Sequence, residues 1–133
     1  ISGNTSRVCF SAPLAKLLEG ANRGTVYVRV DYTDKSGRVY HNNYCLGKQK
    51  DMDYPKVDLQ TEVRSIEGGY EVTVSADKFA PAVCLSVADN ESVYSDNYFD
   101  VQPKSSVQVQ VRTRLSAEAF NGSLRLTCLN NEF

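Results

Sequence analysis

The chain has 133 residues, 23% of them charged, and a net charge of −1. That length holds one moderate domain, or one small domain with a piece of another. No basic block supplies the electrostatic footprint of nucleic-acid binding, and no apolar run approaches the roughly 18 residues of a membrane span, so neither nucleic acid nor membrane is expected as a partner.

The chain opens Ile1-Ser2-Gly3-Asn4 and its only methionine is Met52. This predicts a processed chain or an excised fragment, with any signal peptide out of view; a bacterial parent carrying one would be secreted or periplasmic. Arg7 to Ala12 alternates, with Val8, Phe10 and Ala12 on one face, and reads as a strand that Pro13 ends. Leu14, Leu17 and Leu18 sit at helical spacing before Gly20 and predict about two turns of helix. Val26, Val28, Val30 and Tyr32 mark a strand, Asp34-Lys35-Ser36-Gly37 a turn, and Arg38 to Leu46 the return, giving a hairpin. With a loop from Asp34 to Gly37, Tyr27 pairs with Tyr44 and Asp31 with Tyr40. Tyr27, Arg29, Tyr40 and Tyr44 then share a face opposite Val26, Val28 and Val30, a platform able to stack on a sugar ring. The competing reading is that these tyrosines cover the rest of a first sandwich or dock on another domain. His41, the only histidine, reads as a structural hairpin position.

Lys48-Gln49-Lys50-Asp51-Met52-Asp53-Tyr54-Pro55 is polar, aperiodic and ends in proline, the pattern of a domain boundary. Three strands and one short helix make a poor sandwich alone, so residues 1–54 are expected to be the end of a domain whose start lies outside the sequence. After Pro55 the pattern is fuller. Val57 to Ser65 alternates, Glu67-Gly68-Gly69 turns, and Tyr70, Val72, Val74 and Ala76 return. Ala82 to Ala88 is a third strand, and Asp89-Asn90-Glu91 turns it. Val107, Val109 and Val111 mark a later strand, Ser116 can cap a helical turn from Ala117 to Phe120, and Leu124, Leu126 and Cys128 make the last strand.

Between Asn90 and Val107 lies Tyr94-Ser95-Asp96-Asn97-Tyr98-Phe99-Asp100-Val101-Gln102-Pro103, neither a clean alternating strand nor an ordinary turn. Ser, Asp and Asn bond nearby backbone and favour turns; Tyr98, Phe99 and Val101 form a short strand-like run, and Pro103 stops it. The reading adopted is a sandwich corner with Phe99 in the core and Tyr98 burying a ring edge. The alternatives are a loop offering Asp96, Asn97 and Asp100 to a sugar or an ion, and a docking surface for another domain.

Six or seven short strands with regular turn signals over residues 55–133 give the fold class: all-β, an immunoglobulin-like antiparallel β-sandwich preceded by part of a second one. There is no tryptophan, so the usual Cys…Trp…Cys pin is absent. The cysteines Cys9, Cys45, Cys84 and Cys128 lie 36, 39 and 44 residues apart, with no Cys-x-x-Cys knuckle for zinc. Cys84 alternates against Val83 and Leu85, whereas Cys128 is in phase with Leu124 and Leu126. That parity opposes a bridge between them across the core and predicts four free thiols.

Pro55-Lys56-Val57-Asp58-Leu59, Gly68-Gly69-Tyr70-Glu71-Val72-Thr73-Val74, Ala82-Val83-Cys84-Leu85-Ser86-Val87 and Tyr94-Ser95-Asp96-Asn97-Tyr98-Phe99-Asp100 together resemble the C-terminal immunoglobulin-like domain of β-mannosidases in glycoside hydrolase family 2. Residues 1–54 resemble the end of the preceding sandwich domain. One departure is Val101-Gln102-Pro103-Lys104, where the family has Leu-Leu-Pro-Gly. The resemblance implies a parent enzyme that cleaves terminal β-mannosyl units with retention, using two glutamates about 5–5.5 Å apart on a (β/α)8 barrel. A barrel needs about 250 residues, and no stretch here matches its catalytic motifs. Neither catalytic residue, metal nor cofactor is therefore expected in this chain; its expected partners are the other domains of the parent, the barrel above all, with carbohydrate as a further possibility. Asp89, Asn90, Asp96, Asn97 and Asp100 have no EF-hand spacing for calcium, and turn duty accounts for them.

Overall fold

The computed structural model describes residues 5–132; residues 1–4 and 133 of the two expected domains lie outside it. The chain divides into two compact units, residues 1–53 and 54–133.

In the first unit, helix α1 (Leu14–Leu18) starts at Pro13 and ends at Glu19, which takes a left-handed φ of 48°. A 3-10 turn at Arg23–Thr25 is capped by Asn22, whose side chain accepts from the Gly24 amide at 2.8 Å. Strands β1 (Tyr27–Thr33) and β2 (Val39–Cys45) form an antiparallel hairpin. A second 3-10 turn follows at Gln49–Asp51. Among the described residues of this unit only Gly24 is buried. The strand expected at Arg7–Ala12 does not form, and Val8 and Phe10 are 80% and 75% exposed. Alternation sorts side chains onto two faces, but a strand also needs a neighbour for its amides and carbonyls, and none of the described strands runs beside this segment.

Among the described residues the second unit holds seven strands: β3 (Leu59–Ile66), β4 (Gly69–Ala76), β5 (Ala80–Ser86), β6 (Val93–Tyr94), β7 (Phe99–Val101), β8 (Ser106–Arg112) and β9 (Arg125–Thr127). They make a four-stranded sheet in the order β3-β4-β8-β6 and a three-stranded sheet in the order β7-β5-β9. Period-2 alternation on β4 sends Tyr70, Val72, Val74 and Ala76 inward, opposite Val111, Val109 and Val107 on β8. Val83 and Leu85 come from the other sheet, with Val101 and Phe99, and Phe120 closes the core. Complete burial of side chains such as Val72 or Leu85 is worth about 1.5–3 kcal/mol each. Gly69 is required where β4 begins: a Cβ there would collide with the Val111 carbonyl oxygen.

Ser116 caps helix α2 (Ala117–Ser123), accepting from the Ala119 amide. The helix is longer than the single turn expected, and it drives Phe120 against Tyr70, the rings stacking at 4.2 Å. The Tyr70 hydroxyl stays satisfied by donating to the Leu115 carbonyl at 3.0 Å. The last expected strand stops at Thr127, and helix α3 (Leu129–Glu132) follows it. Asn130 Nδ2 donates to the Pro55 and Phe79 carbonyls, and Asn131 binds Val57 through both its amide groups. The end of the chain thus clasps the beginning of the sandwich. None of the four cysteines is in a disulfide; Cys128 is buried, and Cys84 is half-buried between the inward-facing Val83 and Leu85.

Candidate functional site

The stretch from Tyr94 to Asp100 is where the chain leaves one sheet and joins the other. Tyr94 pairs with Val111 on β8. Ser95 extends that ladder by one step: its amide donates to the Gln110 carbonyl at 2.8 Å, and its hydroxyl accepts from the Gln110 amide at 2.9 Å. Four residues later Phe99 pairs with Val83 on β5, in the opposite sheet.

Asn97 bridges the crossing. Its Oδ1 accepts from the Leu85 amide at 2.8 Å and its Nδ2 donates to the Leu85 carbonyl at 2.9 Å. A carboxamide carries one acceptor and one donor group at the spacing of a peptide unit, so it stands in for a neighbouring strand. Asp96 is exposed, and its Oδ1 accepts from the Asn97 amide. Asp100 answers a different need. The ladder between β5 and β7 is irregular between Ala80 and Val83, and Ala82 sits there at a φ of 52°. Asp100 Oδ1 accepts from the Ala82 amide at 3.0 Å, which the bulge would otherwise leave unpaired. Asn97 and Asp100 thus spend these contacts on backbone of the fold.

Phe99 is 9% exposed and Tyr98 72% exposed. The expectation that Tyr98 buries a ring edge is corrected: its φ of 61° swings the side chain out to solvent. Its phenol is pushed above the ordinary value by a hydrogen bond to the Cys84 thiol. Lys104, in the place of the family's glycine, also takes a left-handed φ of 58° and donates its amide to the Ala76 carbonyl.

The hairpin corrects the expected register. Asp34 belongs to the ladder, its amide donating to the Arg38 carbonyl at 2.9 Å, so the loop has three residues, Lys35-Ser36-Gly37. Gly37 takes the left-handed conformation such a loop needs, at a φ of 85°. Asp34 Oδ1 accepts from the Ser36 hydroxyl and from the Ser36 and Arg38 amides. The Ser36 hydroxyl, foremost among these groups, holds the Asp34 carboxyl below its ordinary range. Shortening the loop by one residue slides every pairing by one, which moves one strand's side chains to the other face. Tyr27 pairs with Cys45, Val28 with Tyr44, Asp31 with His41 and Tyr32 with Tyr40. Tyr40 and Tyr44 therefore share a face with Val28, Val30 and Tyr32, while Tyr27 and Arg29 lie on the other. The four-residue platform does not assemble. Arg29 is engaged with Asp31 at 2.8 Å. Tyr32 and Tyr40 lie 6.2 Å apart, with the Arg38 guanidinium 5.1 Å from the Tyr40 ring. Tyr32 joins this face because loop length sets its partner, and the sequence pattern alone does not separate a three-residue from a four-residue loop.

The glutamates are dispersed. Glu62, Glu67, Glu91 and Glu118 are exposed. Glu71, expected on a wet face, has a side chain only 13% exposed and is held by Arg64 Nη2 at 2.7 Å across β3 and β4. Among the described residues no three His, Cys, Asp or Glu side chains are placed to hold a metal ion. A shallow cleft of about 370 Å³ lies between Asp58, Gln60, Asp77 and Lys104. At the other end of the sandwich Asp89 organises a turn, accepting from the Glu91 and Ser92 amides and from the Thr113 hydroxyl. Its carboxyl is held below the ordinary value, the Ser92 hydroxyl being the largest cause.

Two antiparallel sheets, four strands on three, joined by an asparagine-pinned crossing, define an immunoglobulin-fold sandwich. The chain belongs to the mannosidase immunoglobulin-fold family: the model of that family, described as an Ig-fold domain, matches residues 54–132. Among solved structures, the β-D-mannosidase of Dictyoglomus thermophilum is similar, with a TM-score of 0.71 at 18% identity. The similarity covers 85% of this chain and 14% of that one, so the chain spans a small part of that protein's length. None of the curated protein sequences matches the chain.

Proposed function

We propose that the chain is a non-catalytic accessory region of a longer β-mannosidase-type glycoside hydrolase, a retaining enzyme acting on terminal β-mannosyl residues. Residues 55–133 form its C-terminal sandwich and stabilise, or dock on, a catalytic (β/α)8 barrel. Residues 1–54 are the last part of the sandwich domain before it. The observation that carries this reading is family membership over residues 54–132. It is supported by the use of Asn97 and Asp100 on backbone rather than on a ligand, and by the dispersal of the glutamates. Incubating the purified chain with a chromogenic β-mannoside is expected to give the uncatalysed rate; activity that persists through repurification overturns it. In the longer protein, deleting residues 55–133 is expected to lower the melting temperature of the barrel, and an unchanged barrel melt would remove the stabilising role.

Exposure of the hairpin favours a second reading. Tyr32, Tyr40 and Tyr44 are exposed on one face, with Asn42 between the latter two. Aromatic faces stack on the apolar faces of sugar rings, and an amide bonds their hydroxyls. On this reading the chain binds carbohydrate, with Tyr32 in the role first given to Tyr27. Calorimetry with mannose and mannobiose tests it; heats indistinguishable from dilution in both titrations remove it.

A further inference from the structure

The asparagines of the sandwich divide into two groups. Asn97 and Asn131 spend both ends of their carboxamides on backbone, and Asn130 its Nδ2. Asn90 and Asn121 are exposed, and their side chains make no hydrogen bond with any of the described residues. The exposed pair begins the strings Asn90-Glu91-Ser92 and Asn121-Gly122-Ser123, whereas Asn97-Tyr98-Phe99, Asn130-Asn131-Glu132 and Asn131-Glu132-Phe133 lack the hydroxyl residue two positions on. Asn-x-Ser with x other than proline is the acceptor pattern for N-linked glycans.

We propose that Asn90 and Asn121 are N-glycosylation sites. The donor is an oligosaccharide carried on a polyprenyl diphosphate. The asparagine amide nitrogen loses one proton and bonds to the anomeric carbon, the bond from that carbon to the phosphate oxygen breaks, and the polyprenyl diphosphate leaves.

The placement suits a glycan. Asn90 lies between Ser86 and Val93, in the turn that Asp89 pins, and Asn121 lies on α2 just before Arg125. Gly69 and Val93 both pair with Arg112, and Ser86 pairs with Arg125. Both asparagines are therefore at the end of the sandwich that carries the β3–β4 turn. Pro55 and Val57, clasped by Asn130 and Asn131, are at the opposite end. Sugars at Asn90 and Asn121 leave that entry end clear. The transferase acts on extended chain, and α2 does not oppose it. A seven-residue helix with a glycine in it is not stable before its Phe120 is packed, so the nascent chain presents Asn121 unfolded.

The test is to secrete the full chain from a eukaryotic host behind a cleavable leader and to read its mass before and after N-glycosidase digestion. Asn4-Thr5-Ser6 is a third such string, so the secreted chain carries Asn4→Gln throughout; two glycans are then expected, with one mass step lost on adding Asn90→Gln, one on adding Asn121→Gln and both on adding the two together. Ser123→Ala should remove the Asn121 step and Ser123→Thr keep it. Because both asparagines are exposed and their side chains hydrogen-bond to none of the described residues, the deglycosylated variants are expected to melt with the parent. An unmodified Asn90 or Asn121 peptide from folded, secreted protein overturns that site.

Discussion

Strand β4 of the sandwich and strand β1 of the hairpin carry the same kind of message. Tyr70, Val72, Val74 and Ala76 alternate with polar residues on β4; Val28, Val30 and Tyr32 do so on β1. Val72 and Val74 are fully buried, while Val30 and Tyr32 are 60% and 62% exposed. β4 has partners on both edges and a second sheet above its apolar face, whereas among the described residues β1 has β2 alone. Alternation decides which face is apolar, and only a second layer turns that face into a core. The two units should therefore differ in stability far more than in pattern.

Separating them is the strongest way to break the comparison. Residues 54–133 alone are expected to unfold in one cooperative transition, and residues 1–53 alone to show none. Calorimetry and circular dichroism decide it; a 54–133 piece with no melting transition would mean that the two regions share one core.

Within the sandwich, Phe99→Ala should cost about 3–5 kcal/mol, the range for a buried aromatic, a large fraction of a small domain's stability. Tyr44→Ala in the exposed hairpin face should be near neutral by the same denaturant melt. Equal losses at the two positions would show that something covers the hairpin in solution.

The crossing sharpens the contrast between side chains that hold the fold and those that only decorate it. Asn97→Ala leaves the amide and carbonyl of the buried Leu85 without their partner and is expected to cost about 1–3 kcal/mol. Asp96→Ala removes one exposed bond to the next amide and should cost no more than about 1 kcal/mol. An Asp96 variant weaker than the Asn97 variant reverses the roles.

The smallest effect runs the other way. Lys104 holds a left-handed φ of 58° with an exposed side chain. Lys104→Gly relieves that strain and should raise stability by up to about 1 kcal/mol, since glycine takes this conformation without the Cβ clash. A variant that melts below the parent would show that the lysine side chain makes a stabilising contact outweighing the strain.

The resemblance carried by Tyr94–Asp100 and its neighbouring strands led to the mannosidase immunoglobulin-fold family, which the match over residues 54–132 shows. Most strands of residues 55–133 were also legible, because short β-branched runs between turn residues are set by local sterics and period-2 burial. So was the choice of Phe99 over Tyr98 for the core, since only one of two adjacent residues can face inward and Phe99 is apolar throughout. Other features depended on non-local partners and were not legible. Arg7–Ala12 has the alternation of a strand but no described strand beside it. The hairpin register turned on a single backbone bond, Asp34 to Arg38, which makes the loop three residues rather than four and carries Tyr27 and Arg29 away from Tyr40 and Tyr44. Asn97 reads as a turn residue in the sequence, and only the approach of Leu85, twelve positions earlier, makes its carboxamide a substitute strand. Local sequence determined which side chains are apolar, where the chain can turn and which residue types could cap it. Tertiary structure alone decided which apolar face is covered, which register holds and which asparagine is occupied, because each depends on a group distant in the chain.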